Sequence, residues 1–170
     1  HQELIDFSNA AFYSSKLQIA PNIFVNRGTP PIERFKVDGV WVDRKNQAEA
    51  QKIVELLKEI FKTRKENESI GIITFNSDQQ TCIADAIDKE ARGDADFRNA
   101  ITQERMRTDG GEDTSLFIKN LENVQGDERD IIIVSMVRNP AHYDRANADF
   151  IKKFERNNDA LSRARKKLII

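Results

Sequence analysis

Residues Asn120 to Arg138 read NLENVQGDERDIIIVSMVR. An amide, a glycine and two carboxylates, Gln125-Gly126-Asp127-Glu128, stand just before an apolar β run, Ile131 to Val134. A plain loop has no need of that set against a core strand. A nucleotide site does, and glycine there lets the backbone approach a ligand closely. A second cluster, ALSRARKKLII, sets Arg163 and Arg165 before another apolar run. A guanidinium so placed can stabilise charge that builds on phosphoryl oxygens during hydrolysis. The residues admit other uses. Arg163, Arg165, Lys166 and Lys167 can form a solvated basic helix end, favoured by the helix dipole. Glu128 can pair on the surface with Arg129 or a nearby lysine. Asp127, Glu128 and Asp130 could hold a nuclease metal, but no histidine or distant carboxylate motif supports that.

These clusters need elements to position them. Glu3 to Tyr13 has helical spacing and Ile23 to Val25 is a short strand candidate. Gly28-Thr29-Pro30-Pro31 breaks the chain, and Gly39 to Val42 is a second short strand candidate. Trp41 within it is expected to pack rather than to stack on a base. Asn46 caps an amphipathic helix through Phe61. Ser69 to Phe75 is a core strand, and Asn76 or Ser77 caps a helix over Asp78 to Ala91. The charged stretch Gly93 to Glu112 reads as an insertion carrying a short helix near Ala95 to Arg105. Leu116 to Ile118 and Ile131 to Met136 are strands, Asn139 to Asn147 a loop, Glu155 to Arg165 a helix, and Leu168 to Ile170 the last strand. Strands rich in Ile and Val, alternating with helices, predict an α/β domain on a mostly parallel sheet. Ligands of such sheets bind beyond the carboxyl ends of the strands, where Asn76 to Gln79, Asn120 to Glu128 and Arg138-Asn139 are expected.

Bulk properties exclude several classes. With 170 residues the chain suits one domain with a real core. A formal net charge of −1 gives no global basic field, so any nucleic-acid contact must be local. The apolar runs are far short of the ~20 residues of a membrane span. One cysteine, Cys82, rules out an internal disulfide and fits a reducing, cytoplasmic setting. Two histidines and one cysteine make a closed zinc site improbable. The chain starts mid-pattern at HQELIDFSN and stops on the apolar Leu168-Ile169-Ile170, so it reads as a domain of a larger protein.

Four segments, in order, resemble the second RecA-like domain of superfamily I helicases, the branch of nonsense-mediated-decay RNA helicases and related bacterial DNA helicases. HQELIDFSNAAFYSSKL resembles the segment after motif IV, and SIGIITFNSDQ resembles motif IVa. ENVQGDERDIIIVSMVRN resembles motif V, and ERNNDALSRARKKLII resembles motif VI. The resemblance implies a three-layer, P-loop-NTPase-type domain without its own phosphate loop. The sequence contains no Gly-x-x-x-x-Gly-Lys-Ser/Thr motif. The motif IV arginine would precede His1.

By the same resemblance, Arg163 is the arginine finger of an ATP site shared with an absent N-terminal RecA-like domain, which would bind most of the ATP and Mg2+. Gln125 and Gly126 would lie beside the triphosphate. Glu128 would approach the ribose, or the ordered water and metal shell. Thr74, Asn76, Arg138 and Asn139 would meet single-stranded nucleic acid, DNA ahead of RNA. Asp159 and Asn157 depart from the apolar residues common in motif VI, and Asp159 stands where it could pair with Arg163 on a helix. The alternative is a degenerate RecA-like module that binds nucleic acid or a partner with no part in ATP hydrolysis.

Overall fold

A computed structural model describes residues 9–10, 32–64, 68–136 and 163–170. Its centre is a sheet of five parallel strands in the order β1-β9-β8-β4-β7. These are β1 (Ile32–Glu33), β4 (Ile70–Thr74), β7 (Phe117–Asn120), β8 (Arg129–Ser135) and β9 (Ala164–Ile169). Successive side chains on a strand face opposite ways, so the all-apolar runs feed two cores. Ile70, Ile72, Ile131, Ile133 and Ile169 pack under the helices, while Ile73, Ile132, Val134 and Leu168 pack on the other face. This is the expected α/β, mostly parallel architecture.

Helix α1 (Gln47–Thr63) buries Ala50, Ile53, Val54, Leu57 and Ile60, one face at helical spacing. Asn46 starts it as predicted: its side-chain oxygen accepts from the amides of Ala48 (3.1 Å) and Glu49 (3.3 Å). Helix α2 (Ser77–Gly93) is capped by Asn76, whose Oδ1 accepts from the Gln79 amide at 2.8 Å. Asp94 then ends α2 and caps α3 (Ala95–Arg105), accepting from the Phe97 amide at 3.0 Å. Lys58 of α1 bonds Glu90 and reaches Asp94 at 3.0 Å, clamping the helices together.

Helix α3, inside the stretch read as an insertion, buries Phe97 and Ile101 in the main core. Its buried Glu104 sits between Arg64 and Arg107, and both arginines also donate to the carbonyl of Glu68 at 2.8 Å. An exposed hairpin of β5 (Thr108–Asp109) and β6 (Glu112–Asp113) follows, turning through Gly110-Gly111. A second hairpin pairs β2 (Trp41–Val42) with β3 (Lys45–Asn46), and Trp41 is half-buried. Its turn residues Asp43 and Arg44 have φ of 50° and 62°, the left-handed pair that suits a two-residue hairpin.

One prediction is corrected. Arg163 to Arg165 are not helical: Arg163 lies in a turn and β9 begins at Ala164. Arg, Ala and Lys favour helix in isolation, but here pairing with β8 decides. Ala164 is buried opposite Arg129, while Arg165, Lys166 and Lys167 reach carboxylates of Glu128, Glu68 and Glu33. The rest of the predicted helix, the predicted elements before residue 32 (apart from a helical pair at 9–10) and the 139–147 loop fall outside the described residues.

Candidate functional site

The parallel register gives the sheet a carboxyl edge, where Thr74, Asn120 and Ser135 lie level, and an amino edge, where β8 and β9 begin. The expectation that the polar motifs share the carboxyl edge is corrected. From the end of β7 the chain passes through a 3₁₀ turn, Leu121–Asn123, and returns across one face of the sheet to the start of β8. A parallel neighbour must be entered from its amino end, so the loop has to come back. Leu121 and Val124 bury themselves beside Ile73 and Ile132 and fix its path. Gln125, Gly126 and Glu128 therefore arrive at the amino edge, all exposed.

At that edge Gly126 has φ +90°, a conformation open to glycine. The turn is tied down on either side. The Asp127 amide donates to the Val124 carbonyl at 3.1 Å, and Lys119 donates to the Asp127 carboxylate at 2.7 Å. The Glu128 carboxylate accepts from Arg165 Nε at 3.1 Å, with side chains 45% and 59% exposed. A pair that open to solvent adds little stability and yields readily to another partner. It is the surface ion pair weighed for Glu128, with Arg165 as the partner. Arg163 is half-buried, and its carbonyl accepts from the Arg129 amide at 3.2 Å. The β8–β9 ladder thus brings the Arg163 main chain to Arg129, the residue that follows the Gln125–Glu128 turn.

Arg129 is a group that sequence reasoning missed. Only 6% exposed, it donates from Nε to the Ser115 carbonyl at 3.0 Å and from Nη1 to the Glu128 carbonyl at 2.8 Å. Its guanidinium lies 5.0 Å from the centre of the Phe117 ring. The ring has room because the neighbouring strand carries Gly71, where a Cβ would come within 2.4 Å of it. Nearby, Asp113 accepts from the Ser115 amide at 2.9 Å. Hydrogen bonds from Ser115, and then the charges of Arg129 and Lys119, hold the Asp113 carboxyl below the usual carboxylate range.

The carboxyl edge holds Thr74 and Asn76. Thr74 is fully buried and its hydroxyl donates to the Asn76 carbonyl at 3.0 Å; the Asn76 side chain caps α2. Both side chains serve the strand-to-helix turn. Below them lies a buried polar network the sequence did not announce. Gln79, fully buried, accepts from the Asn46 amide at 2.8 Å and donates to the Asn46 carbonyl at 3.1 Å and to Ser135 Oγ at 3.2 Å. Ser135 in turn donates to Glu49 at 2.6 Å. The one available signal was Gln79 standing three residues after the Asn76 cap, the capping-box position. Arg138, Asn139, Asn157 and Asp159 lie outside the described residues.

Among the described residues no group of His, Cys, Asp and Glu could hold a metal ion, and no helix is long and apolar enough to cross a membrane. Cys82 is buried beside Gln47, and burial pushes its thiol up, away from a nucleophile's range. The amino edge therefore offers an exposed carboxylate, an exposed glycine turn and guanidinium groups, a set suited to a polar, phosphate-bearing ligand.

Comparisons agree with this architecture. A family model described as an AAA domain matches residues 33–170. An uncharacterized ATP-dependent helicase of Mycoplasma pneumoniae, the MG140 homolog, is 39% identical over 139 residues, which is 78% of this chain and 11% of that protein. MG140 of Mycoplasma genitalium, also named an uncharacterized ATP-dependent helicase, is 37% identical over 140 residues, 79% of this chain and 12% of that protein. The chain thus spans about a tenth of the curated relatives' length. The crystal structure of the C-terminal domain of a possible DNA helicase from Lactobacillus plantarum matches in fold. Its TM-score is 0.53 at 16% identity, over 99% of this chain and 82% of that one.

Proposed function

The chain belongs to the AAA domain family, and we propose that it is the second motor domain of an ATP-dependent superfamily I helicase or translocase. In this reading it contributes half of an ATP site, and an N-terminal RecA-like domain of the same protein contributes the phosphate loop and most of the contacts to ATP and Mg2+. The observation that supports it is the main-chain bond from the Arg129 amide to the Arg163 carbonyl, which sets Arg163 at the amino edge next to the strand start that follows the Gln125–Glu128 turn. ATP-dependent helicase relatives and helicase-like order of motifs point the same way.

Each residue then has a task. Arg163 stabilises negative charge that develops on the transferred phosphoryl oxygens. The exposed backbone at Gln125-Gly126 lets the triphosphate come close, and the Glu128 carboxylate accepts from a ribose hydroxyl or orders water beside the site. Thr74 and Asn76 shape the turn at the opposite edge, while Arg138 and Asn139 contact phosphates of single-stranded nucleic acid, DNA ahead of RNA. Hydrolysis at the amino edge is in this reading separated by the length of the strands from the nucleic acid that moves.

The test uses the full-length protein. Arg163→Ala should lower single-strand-stimulated ATP hydrolysis by roughly 10³-fold or more, the scale of losing a phosphate-stabilising arginine. Nucleotide affinity should fall far less, because the group acts in the transition state. The domain expressed alone should hydrolyse no ATP above background. Near-normal turnover by Arg163→Ala would replace this reading with that of a binding module.

A further inference from the structure

Resting on the nucleotide-site reading above, we infer that Arg129 is the positioning residue of that site: it holds the turn carrying Glu128 and the strand start carrying Arg163 in one fixed relation. Two kinds of bond support this. Its backbone amide donates to the Arg163 carbonyl at 3.2 Å. Its guanidinium donates to the Glu128 carbonyl at 2.8 Å and to the Ser115 carbonyl at 3.0 Å. One residue therefore joins the loop before β8 and the base of the β5–β6 hairpin through its guanidinium, and the turn before β9 through its main chain.

A buried cation is costly unless its surroundings answer it. Here the answers are two backbone carbonyls, the face of the Phe117 ring and the charge of Asp113. A residue needed only to fill space at the foot of a strand would be cheaper as Leu or Met. The planar fork of arginine fixes two carbonyls from separate segments at once, which a lysine ammonium on a flexible stem does not. The main chain of Glu128 is held, and its carboxylate is left facing outward, 45% exposed.

Arg129→Lys in the full-length protein separates positioning from mere packing. It keeps the charge and the aliphatic stem but loses the fork. We expect kcat for ATP to fall roughly 10- to 100-fold, the penalty for a catalytic group misplaced by about an ångström. The melting temperature should stay close to that of the parent, and Arg129→Met should fall further in both. Phe117→Leu removes the ring beneath the guanidinium without touching its hydrogen bonds, and a smaller loss of kcat is expected. An unchanged kcat in Arg129→Lys overturns the assignment. If that variant does not fold, an unchanged kcat in Phe117→Leu does so instead. Arg163→Ala is measured alongside. Normal hydrolysis there overturns the nucleotide site and this role together, whereas its loss beside a normal Arg129→Lys overturns only the role of Arg129.

Discussion

At the carboxyl edge, Gln79, Asn46, Ser135 and Glu49 bond to one another, and the first three are buried. At the amino edge, Glu128, Arg165 and Gln125 face solvent, and a buried arginine holds the Glu128 main chain from beneath. Both edges belong to the same strands, so the contrast comes from side chains and loops alone. A closed amide network of fixed partners locks the amino ends of α1 and α2 to the end of β8. Exposed groups on a fixed base can change partners without disturbing the core. Rigidity in one place and exchangeable contacts in the other are what a half-site needs if its second half arrives on another domain.

If that contrast is right, damage at the amino edge should reach turnover before stability. After the loss expected for Arg163→Ala, the next largest belongs to Gly126→Ala. Nothing lies within 4 Å of a Cβ there, so the substitution meets no atom, but φ +90° strains any residue with one. Strain of about 1–3 kcal/mol is usual for such positions. If the turn escapes it by moving, ATP turnover should fall roughly tenfold to a hundredfold on the scale of ~1.4 kcal/mol per decade. Full activity with a lowered melting temperature would erase the distinction between the edges.

The carboxyl edge should answer in the opposite way. Gln79→Leu strands the Asn46 amide and carbonyl and takes from the Ser135 hydroxyl the donor it accepts from. Leaving such buried groups unsatisfied costs about 1–3 kcal/mol, seen in denaturant or thermal unfolding, while kcat of the folded protein should hold. A mutant with parental stability and lost ATPase would place Gln79 in the chemistry and break the comparison.

Much of this was legible in the sequence, for identifiable reasons. The Asn46 and Asn76 caps and the apolar period of α1 are local signals, and they predicted the helices closely. The Ile-rich runs of β4 and β8 predicted a parallel sheet because burial on both faces leaves no alternation. What failed was non-local. Arg163-Ala164-Arg165 has helix-forming composition, and only its pairing with β8 makes it the approach to a strand. β1 is a pair of residues visible only through its bonding to Leu168 and Ile169. The edge reached by Gln125 to Glu128 depended on where the loop goes after β7, which no spacing rule fixes. Arg129 read in the sequence as a surface ion-pair partner for Glu128; its burial against Phe117 and Ser115 brings together residues from separate elements.

Nucleic-acid contact gives a milder separation. Arg138, three residues after the last residue of β8 in the sequence, is proposed to meet a strand phosphate. Arg138→Ala should weaken single-stranded DNA binding equally across sequences and flatten its salt slope by ~0.7, one contact's share. ATPase measured without DNA should barely change. An unchanged slope with a lowered melting temperature would mean that Arg138 pins its own loop, through Asp144 or Asp149.

The smallest effect expected is a local one, and it distinguishes the edges by acid. The Asp113 carboxyl at the amino-edge hairpin is depressed by its bonds to Ser115 and by the nearby cations. A depressed carboxylate contributes stability that is complete above its ordinary value, ~3.9, and is lost as pH falls through the lower folded value. The Ser115 amide, which donates to Asp113 at 2.9 Å, should therefore lose exchange protection as the medium is acidified below about pH 4. At the other edge the Gln79 amide donates to the side-chain oxygen of Asn76, which does not titrate, and it should keep its protection. Protection factors, which divide out the intrinsic pH dependence of exchange, make the two amides comparable. Asp113→Asn should abolish the acid response at Ser115 alone. Parallel loss at both amides would mean that acid opens the whole domain as one unit, and that the edges differ in chemistry but not in how firmly they are held.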